Sequence, residues 1–166
     1  MRARMIPYAS IFCLALLLAS GCASYDGAGL VPGQSDAKKV EEIMGPPKER
    51  ITLADGETIW FYPHGPFGPT TYAVRLSSGG VVQSVEQVLT YENIAKLKLG
   101  ETTKRQVREI LGPPSGAKHM DRQQRDVWFY PVENQIQVSH RLFVQFSSDG
   151  IVREVVMVRN PNLDKP

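Results

Sequence analysis

GQSDAKKVEEIMGPP (residues 33–47) is echoed 67 positions later by GETTKRQVREILGPP (residues 100–114). The two align without a gap, and seven of fifteen positions are identical: Gly33/Gly100, Val40/Val107, Glu42/Glu109, Ile43/Ile110 and the closing Gly-Pro-Pro. Each copy leads into the tetrapeptide WFYP, at 60–63 and 128–131, and these hold both Trp residues of the chain. LSSGGVV (76–82) and FSSDGIV (146–152) extend the correspondence in the same order. Recurrence in fixed order and spacing marks a tandem duplication.

Within each copy the pattern dictates a short helix. Ser35 and Thr102 stand where a hydroxyl caps a helix N-terminus. Val40, Ile43 and Met44, like Val107, Ile110 and Leu111, recur at i, i+3 and i+4 and make one apolar stripe. Gly45 and Gly112 are placed for a left-handed C-terminal turn, and the prolines after them stop the helix. So short a helix is marginal alone and needs a surface to lie on.

That surface is predicted to be a sheet. Asp55-Gly56 is a tight-hairpin signal between Arg50–Leu53 and Thr58–Tyr62, and Asp121–Gln124 holds the same place in the second copy. Thr71–Ser77 alternates, with Tyr72, Val74 and Leu76 on one face, matched by Leu142, Val144 and Phe146. The SSGG and SSDG turns lead into Val81–Val88 and Ile151–Arg159. The expected fold class is therefore α+β: two tandem two-layer units, each a helix followed by an antiparallel meander of three to four strands. The expected divisions are 33–90 for the first unit, 91–160 for the second and a tail at 161–166. Whether the units share one sheet is left open.

The WFYP strands carry the candidate binding residues. Trp60 and Tyr62 point to one face and Phe61 to the other, as do Trp128 and Tyr130 against Phe129. Packing under the helix accounts for one set, and the aromatics facing away from it, with Phe61 and Phe129 as candidates, are expected to form an exposed protein-binding patch. Phe67, among the breakers of PHGPFGPT (63–70), is a third candidate: a stiff loop reduces the ordering cost of association.

Residues 1–21 differ in kind from the rest. Arg2 and Arg4 precede the apolar run IFCLALLL (11–18), and small residues then lead to Cys22, the layout of a signal peptide. The run is shorter than the roughly 20 residues of a spanning helix. LASGC resembles a bacterial lipobox, which implies lipidation at Cys22, with 22–32 as a tether. Loss of Arg2 and Arg4 leaves 17 Lys+Arg against 17 Asp+Glu, so acyl chains rather than charge are expected to hold the protein to a membrane. With Cys13 removed and Cys22 acylated, no disulfide is expected within the mature chain. Ala23, rather than Asp, after the cysteine implies the outer membrane by the lipoprotein sorting rule.

The run Leu97-Lys98-Leu99-Gly100-Glu101-Thr102 through Val107, Leu111-Gly112 and Pro114, followed by Trp128-Phe129-Tyr130 and Phe146–Ile151, resembles the SmpA/OmlA (BamE-like) family of outer-membrane lipoproteins. Tyr91–Leu99 is similar to the helix that precedes the motif in that family. The family includes the small lipoprotein subunit of the β-barrel assembly machinery. The resemblance implies a periplasm-facing, lipid-anchored, non-enzymatic protein-binding scaffold whose partners are envelope proteins, including that machinery. This chain differs in having two units. The segments after WFYP, 63–70 and 131–140, also diverge between its copies. The doubled layout is also similar in architecture to the β-lactamase inhibitor proteins, which implies an alternative role as a periplasmic inhibitor or modulator.

Composition and motifs point away from other classes. A hydrophobic content of 42% with 22% charged residues fits an ordinary folded chain, and a net charge of +2 without a basic block gives no nucleic-acid surface. His64, His119 and His140 fall in different elements and lack metal-ligand spacing, so no metal or other cofactor is expected. Ser77-Ser78 and Ser147-Ser148 lie in turns, where Ser bonds locally. The charged run Lys98–Arg108 is expected to be a solvated helix face. Nucleophile elbow, P-loop and dinucleotide fingerprints are missing from the sequence, and no catalytic residue is expected.

Overall fold

A computed structural model describes residues 24–65, 68–133 and 139–159. The first unit runs α1 (Ala37–Met44), β1 (Glu49–Thr52), β2 (Thr58–Pro63), β3 (Thr71–Leu76) and β4 (Val82–Gln87). The second runs α2 (Tyr91–Ile94), α3 (Lys104–Leu111), β5 (Gly116–Met120), β6 (Arg125–Glu133), β7 (Ser139–Phe146) and β8 (Val152–Arg159). The strands form two separate four-stranded antiparallel meanders, β1-β2-β3-β4 and β5-β6-β7-β8. The fold is α+β with a helix before each sheet, and each meander has four strands.

The two units agree bond for bond. Tyr62 Oη donates to the Gly45 carbonyl at 3.2 Å, and Tyr130 Oη to the Gly112 carbonyl at 3.2 Å. Gly33 N–H donates to Val82 O and Gly100 N–H to Val152 O, both at 2.8 Å. A bulge falls between Arg75 and Leu76 in one sheet and between Gln145 and Phe146 in the other. The sequence repeat is thus a repeat of register.

Local chemistry fixes the helices, with two departures from expectation. The caps are Asp36, accepting from Lys39 N–H, and Thr103, which forms a reciprocal capping box with Gln106. Ser35 and Thr102 stand one residue earlier and brace the preceding turn instead, accepting from Val31 N–H at 2.9 Å and Lys98 N–H at 2.8 Å. Gly45 (φ 76°, ψ −169°) and Gly112 (φ 79°, ψ −169°) have positive φ but extended ψ, a region open essentially only to glycine. They swing the chain straight into a strand where a left-handed turn was expected. The helix expected over Tyr91–Leu99 is the short α2, after which Leu97 folds onto the core.

Each helix lies on one face of its own sheet. Val40 and Met44 pack on Trp60, Tyr62, Val74 and Leu76, while Val107 and Leu111 pack on Tyr130, Leu142, Val144 and Phe146. The other face of the first sheet is also closed, with Ile59, Phe61, Ala73 and Val88 at 1%, 0%, 1% and 2% exposure. Contacts from the second unit reach that face. Arg105 Nη2 donates to Thr52 O at 2.8 Å, and Arg108 Nη1 lies 3.2 Å from Glu49 Oε1. Gly112 sits so close that a Cβ there would lie 2.9 Å from Phe61 Cδ1. The molecule is therefore a stack, with α1, first sheet, α3 and second sheet in turn.

The segment from Ser24 onward is packed rather than spaced away from the fold. Ser24 N–H donates to Ile43 O at 2.9 Å, Gly27 is buried, and Leu30 packs on the core under α1. No helix among the described residues is long and apolar enough to cross a membrane.

Candidate functional site

The sequence candidates separate. Phe61 is fully buried at the junction between the units, so it is no surface residue; the expectation of an exposed patch fails there because the second unit covers the face turned away from α1. Phe129, at the equivalent register, is partly exposed and meets Phe143 edge-on, with centroids 5.4 Å apart and planes at 90°. Cys22 and Phe67 lie outside the described residues.

Phe129 belongs to a face that alternation builds. Directly opposed residues share a face, so Phe129, Phe143 and Val156 form one cross-strand row. Val155 and Met157 point the other way, into the core. Val158, which follows on the open face, is 50% exposed. Phe143, Val156 and Val158 were not singled out from the sequence. The signal was present in β7, where Leu142, Val144 and Phe146 claim one face and so consign Phe143 to the other.

The junction draws two cations, Arg105 and Arg108, from the run expected to be solvated. Arg108 stacks over Trp128 at 5.3 Å while reaching Glu49, and Arg105 holds Glu109 at 2.8 Å as well as Thr52 O. Lys104 donates to Asp126 at 2.5 Å, and His119 Nδ1 lies 2.6 Å from the same carboxylate. The Lys104 hydrogen bond first, and then that of His119, hold the Asp126 carboxyl below its ordinary pKa. Burial pushes the Tyr62 phenol up to about 12, with Glu41 adding to the rise and Arg50 opposing it; deeper burial raises Tyr130 further. These tyrosines therefore act as neutral donors, not acids.

A cleft of about 350 Å³ also opens between the units, lined by Pro63, Thr71, Leu89, Pro114, Tyr130 and Pro131. Its walls are chiefly apolar and backbone. The three His residues do not converge: His119 faces Asp126, the His140 ring lies 3.4 Å from Tyr91 Oη, and the His64 ring is tilted against Tyr25 with centroids 5.0 Å apart. Among the described residues no three His, Cys, Asp or Glu side chains gather where a metal ion could sit. What the surface offers is an apolar sheet face, which suits binding.

Residues 86–155, from the end of β4 into β8, match the family model of the outer membrane protein assembly factor BamE domain. The second unit is similar to the BamE domain over these residues. The matched BamE segment contains α2, α3 and the Trp128-Phe129-Tyr130 strand, with Phe143 beside it. A DUF4309 family protein (YjgB) from Bacillus subtilis is similar over 82% of this chain and 90% of its own, at 15% identity and a TM-score of 0.33. The search of curated proteins returns no significant match.

Proposed function

We propose that the chain is an outer-membrane lipoprotein, anchored through acyl chains on Cys22 and facing the periplasm, that acts as a non-enzymatic protein-binding scaffold in the assembly of outer-membrane proteins. The observation that carries this reading is the BamE-domain match over the second unit. The first unit has the same strand order, which supports reading it as a further copy of that domain. The lipobox-like LASGC supports the anchor, and the neutral balance left after cleavage means that charge alone would not hold the protein to a membrane. Partner contact is assigned to surfaces around Phe129 and to the loop bearing Phe67.

The test is affinity capture of the chain from detergent-solubilised envelopes, read by mass spectrometry against a Cys22→Ser control. Components of the β-barrel assembly machinery should co-purify with the parent chain and be depleted with the control, and fatty-acid label should enter only the parent. An envelope capture free of any assembly component overturns the scaffold reading, and an unlabelled parent chain overturns the anchor.

A further inference from the structure

We propose that the end of the first unit bearing Tyr25 is a lipid-contact surface, held against the bilayer because only Cys22 and Ala23 separate the anchor from the folded body. The inference rests on the lipidation of Cys22 in the proposed function and concerns where that anchor leaves the fold.

The repeat shows that most of the expected tether is part of the domain. By the offset of 67, Gly27, Leu30, Val31 and Ser35 correspond to Ile94, Leu97, Lys98 and Thr102. Their hydrogen bonds correspond as well. Leu30 N–H donates to Gly27 O at 2.9 Å, and Leu97 N–H to Ile94 O at 3.1 Å. Ser35 N–H donates to Val31 O at 2.9 Å, and Thr102 N–H to Lys98 O at 3.0 Å. Leu30 and Leu97 each pack on the core of their own unit. Residues 27–35 therefore do for the first unit what the stretch from the end of α2 does for the second. Gly27 is fitted there, since a Cβ on it would lie 2.9 Å from Val85 Cγ1. The docking continues back to Ser24, whose N–H donates to Ile43 O at 2.9 Å.

The leash that remains is short. The two steps from Cys22 to Ser24 span at most about 7 Å when fully extended, whereas a free stretch from Cys22 to Pro32 would reach about 35 Å. The headgroup layer of one leaflet is itself about 5–7 Å deep. Acyl chains on Cys22 that enter the hydrocarbon therefore leave Ser24 at the headgroups.

The fold decides which end is brought down. α1 starts beside the Ser77–Gly80 turn, where Ala37 N–H donates to Gly80 O, and ends beside Tyr62, whose Oη donates to Gly45 O. Ser24 meets the last turn of α1, and the Tyr25 ring lies against His64, one residue past β2. The Asp55-Gly56 hairpin stands at the other end of β2, about 20 Å away at the usual rise per residue. The chemistry of the anchored end suits lipid. Tyr25 is 49% exposed, an apolar ring with a polar tip of the kind that settles at headgroup level. Pro46 and Lys48 are exposed just beyond α1, and a lysine there favours anionic lipid. The Asp26 carboxylate is occupied within the fold by the Ser24 hydroxyl and the Ala28 N–H. The loop after β2, assigned above to partner contact, leaves from this end, so a partner engaged there sits at the membrane surface.

The experiment places a nitroxide on the lipidated full chain in bilayer nanodiscs of phosphatidylethanolamine and phosphatidylglycerol. With Cys13 removed and Cys22 acylated, Tyr25→Cys or Asp55→Cys supplies the single free thiol for the label. Collision with an aqueous nickel chelate reads exposure to water, and near-ultraviolet circular dichroism checks that each variant is folded. The label at position 25 should be severalfold less accessible than the label at position 55. A spacer of about ten Gly and Ser residues inserted after Ala23, with a root-mean-square reach of about 17 Å, should raise accessibility at position 25 severalfold and leave position 55 unchanged. A position 25 as open as position 55, or one that the spacer does not alter, overturns the proposal. Fatty-acid labelling of the same preparation separates the two readings. An unlabelled chain removes the anchor and this inference with it, whereas a labelled chain open at position 25 overturns this inference alone.

Discussion

Phe61 and Phe129 hold the same place in two sheets of the same order and register, yet the first is fully buried and the second stands partly in solvent. The strands do not create the difference; chain order does, because the first unit has a successor to lie against it. The cations over the two tryptophans show how the copies adapted. Arg50, on β1, stacks 4.4 Å over Trp60 and is held by Glu41 of α1. In the second unit the strand position is Ala117, opposite Trp128, and the cation comes from the helix as Arg108. Moving the guanidinium from strand to helix lets it reach Glu49 across the junction while still covering its own tryptophan. One repeat thus supplies the acid and the other the base of the contact that joins them.

The largest expected effect separates the two phenylalanines. Phe61→Ala should destabilise the protein by about 3–5 kcal/mol, the range for emptying a closed aromatic site. Phe129→Ala, with its ring partly hydrated already, should cost about 1 kcal/mol, chiefly the lost edge-on contact with Phe143. Urea unfolding at the same low chain concentration measures both. Equal losses would mean that the junction does not seal the first sheet.

A smaller contrast isolates the junction at the glycines. Both Gly45 and Gly112 have the same positive φ, so alanine at either costs about 1–3 kcal/mol in backbone strain. A Cβ on Gly45 meets nothing within 4 Å, whereas on Gly112 it meets Phe61 at 2.9 Å and Thr71 at 3.1 Å. Gly112→Ala should therefore exceed Gly45→Ala by about 1–3 kcal/mol, the cost of overpacking. The difference between the two denaturation midpoints is the measurement, and no difference would show that the units stand apart.

What the sequence made legible follows from what repeats. Order, spacing and alternation are local, so the helices, the meanders and the face of Tyr72, Val74 and Leu76 could be read directly. The positive φ of Gly45 and Gly112 could be read too, but not their extended ψ, which is set by how abruptly the chain enters β1 and β5. Phe61 was misassigned because its burial comes from α3, which begins more than forty residues later in the chain. No local pattern distinguishes a face that a neighbour will cover from one left open. The clue was in the substitutions between copies: Glu41 against Arg108, Arg50 against Ala117, Ala73 against Phe143. Positions that differ between otherwise matched units mark where the units meet, or where only one of them is covered.

Asp126 offers the subtlest break in the equivalence, because its counterpart in the first unit is Thr58, which carries no charge. Lys104 and His119 both engage the Asp126 carboxylate, and its pKa is lowered, the Lys104 hydrogen bond being the larger cause. With the folded pKa below the unfolded one, the unfolded chain takes up the proton first as pH falls. The stabilisation is therefore complete above the unfolded carboxyl pKa, near 3.9, and disappears as pH drops through the folded value. Asp126→Asn should consequently be less stable than the parent at about pH 6 and converge on it as acid is added, with most of the change below about pH 4. Thr58→Val, altering the matching site, should leave a gap to the parent that does not vary with pH. Urea midpoints for the three chains from neutral pH downward decide it. A parent-to-Asn gap constant over the whole range would show that the Lys104 and His119 contacts favour neither protonation state, and that the two units respond to acid alike at this register.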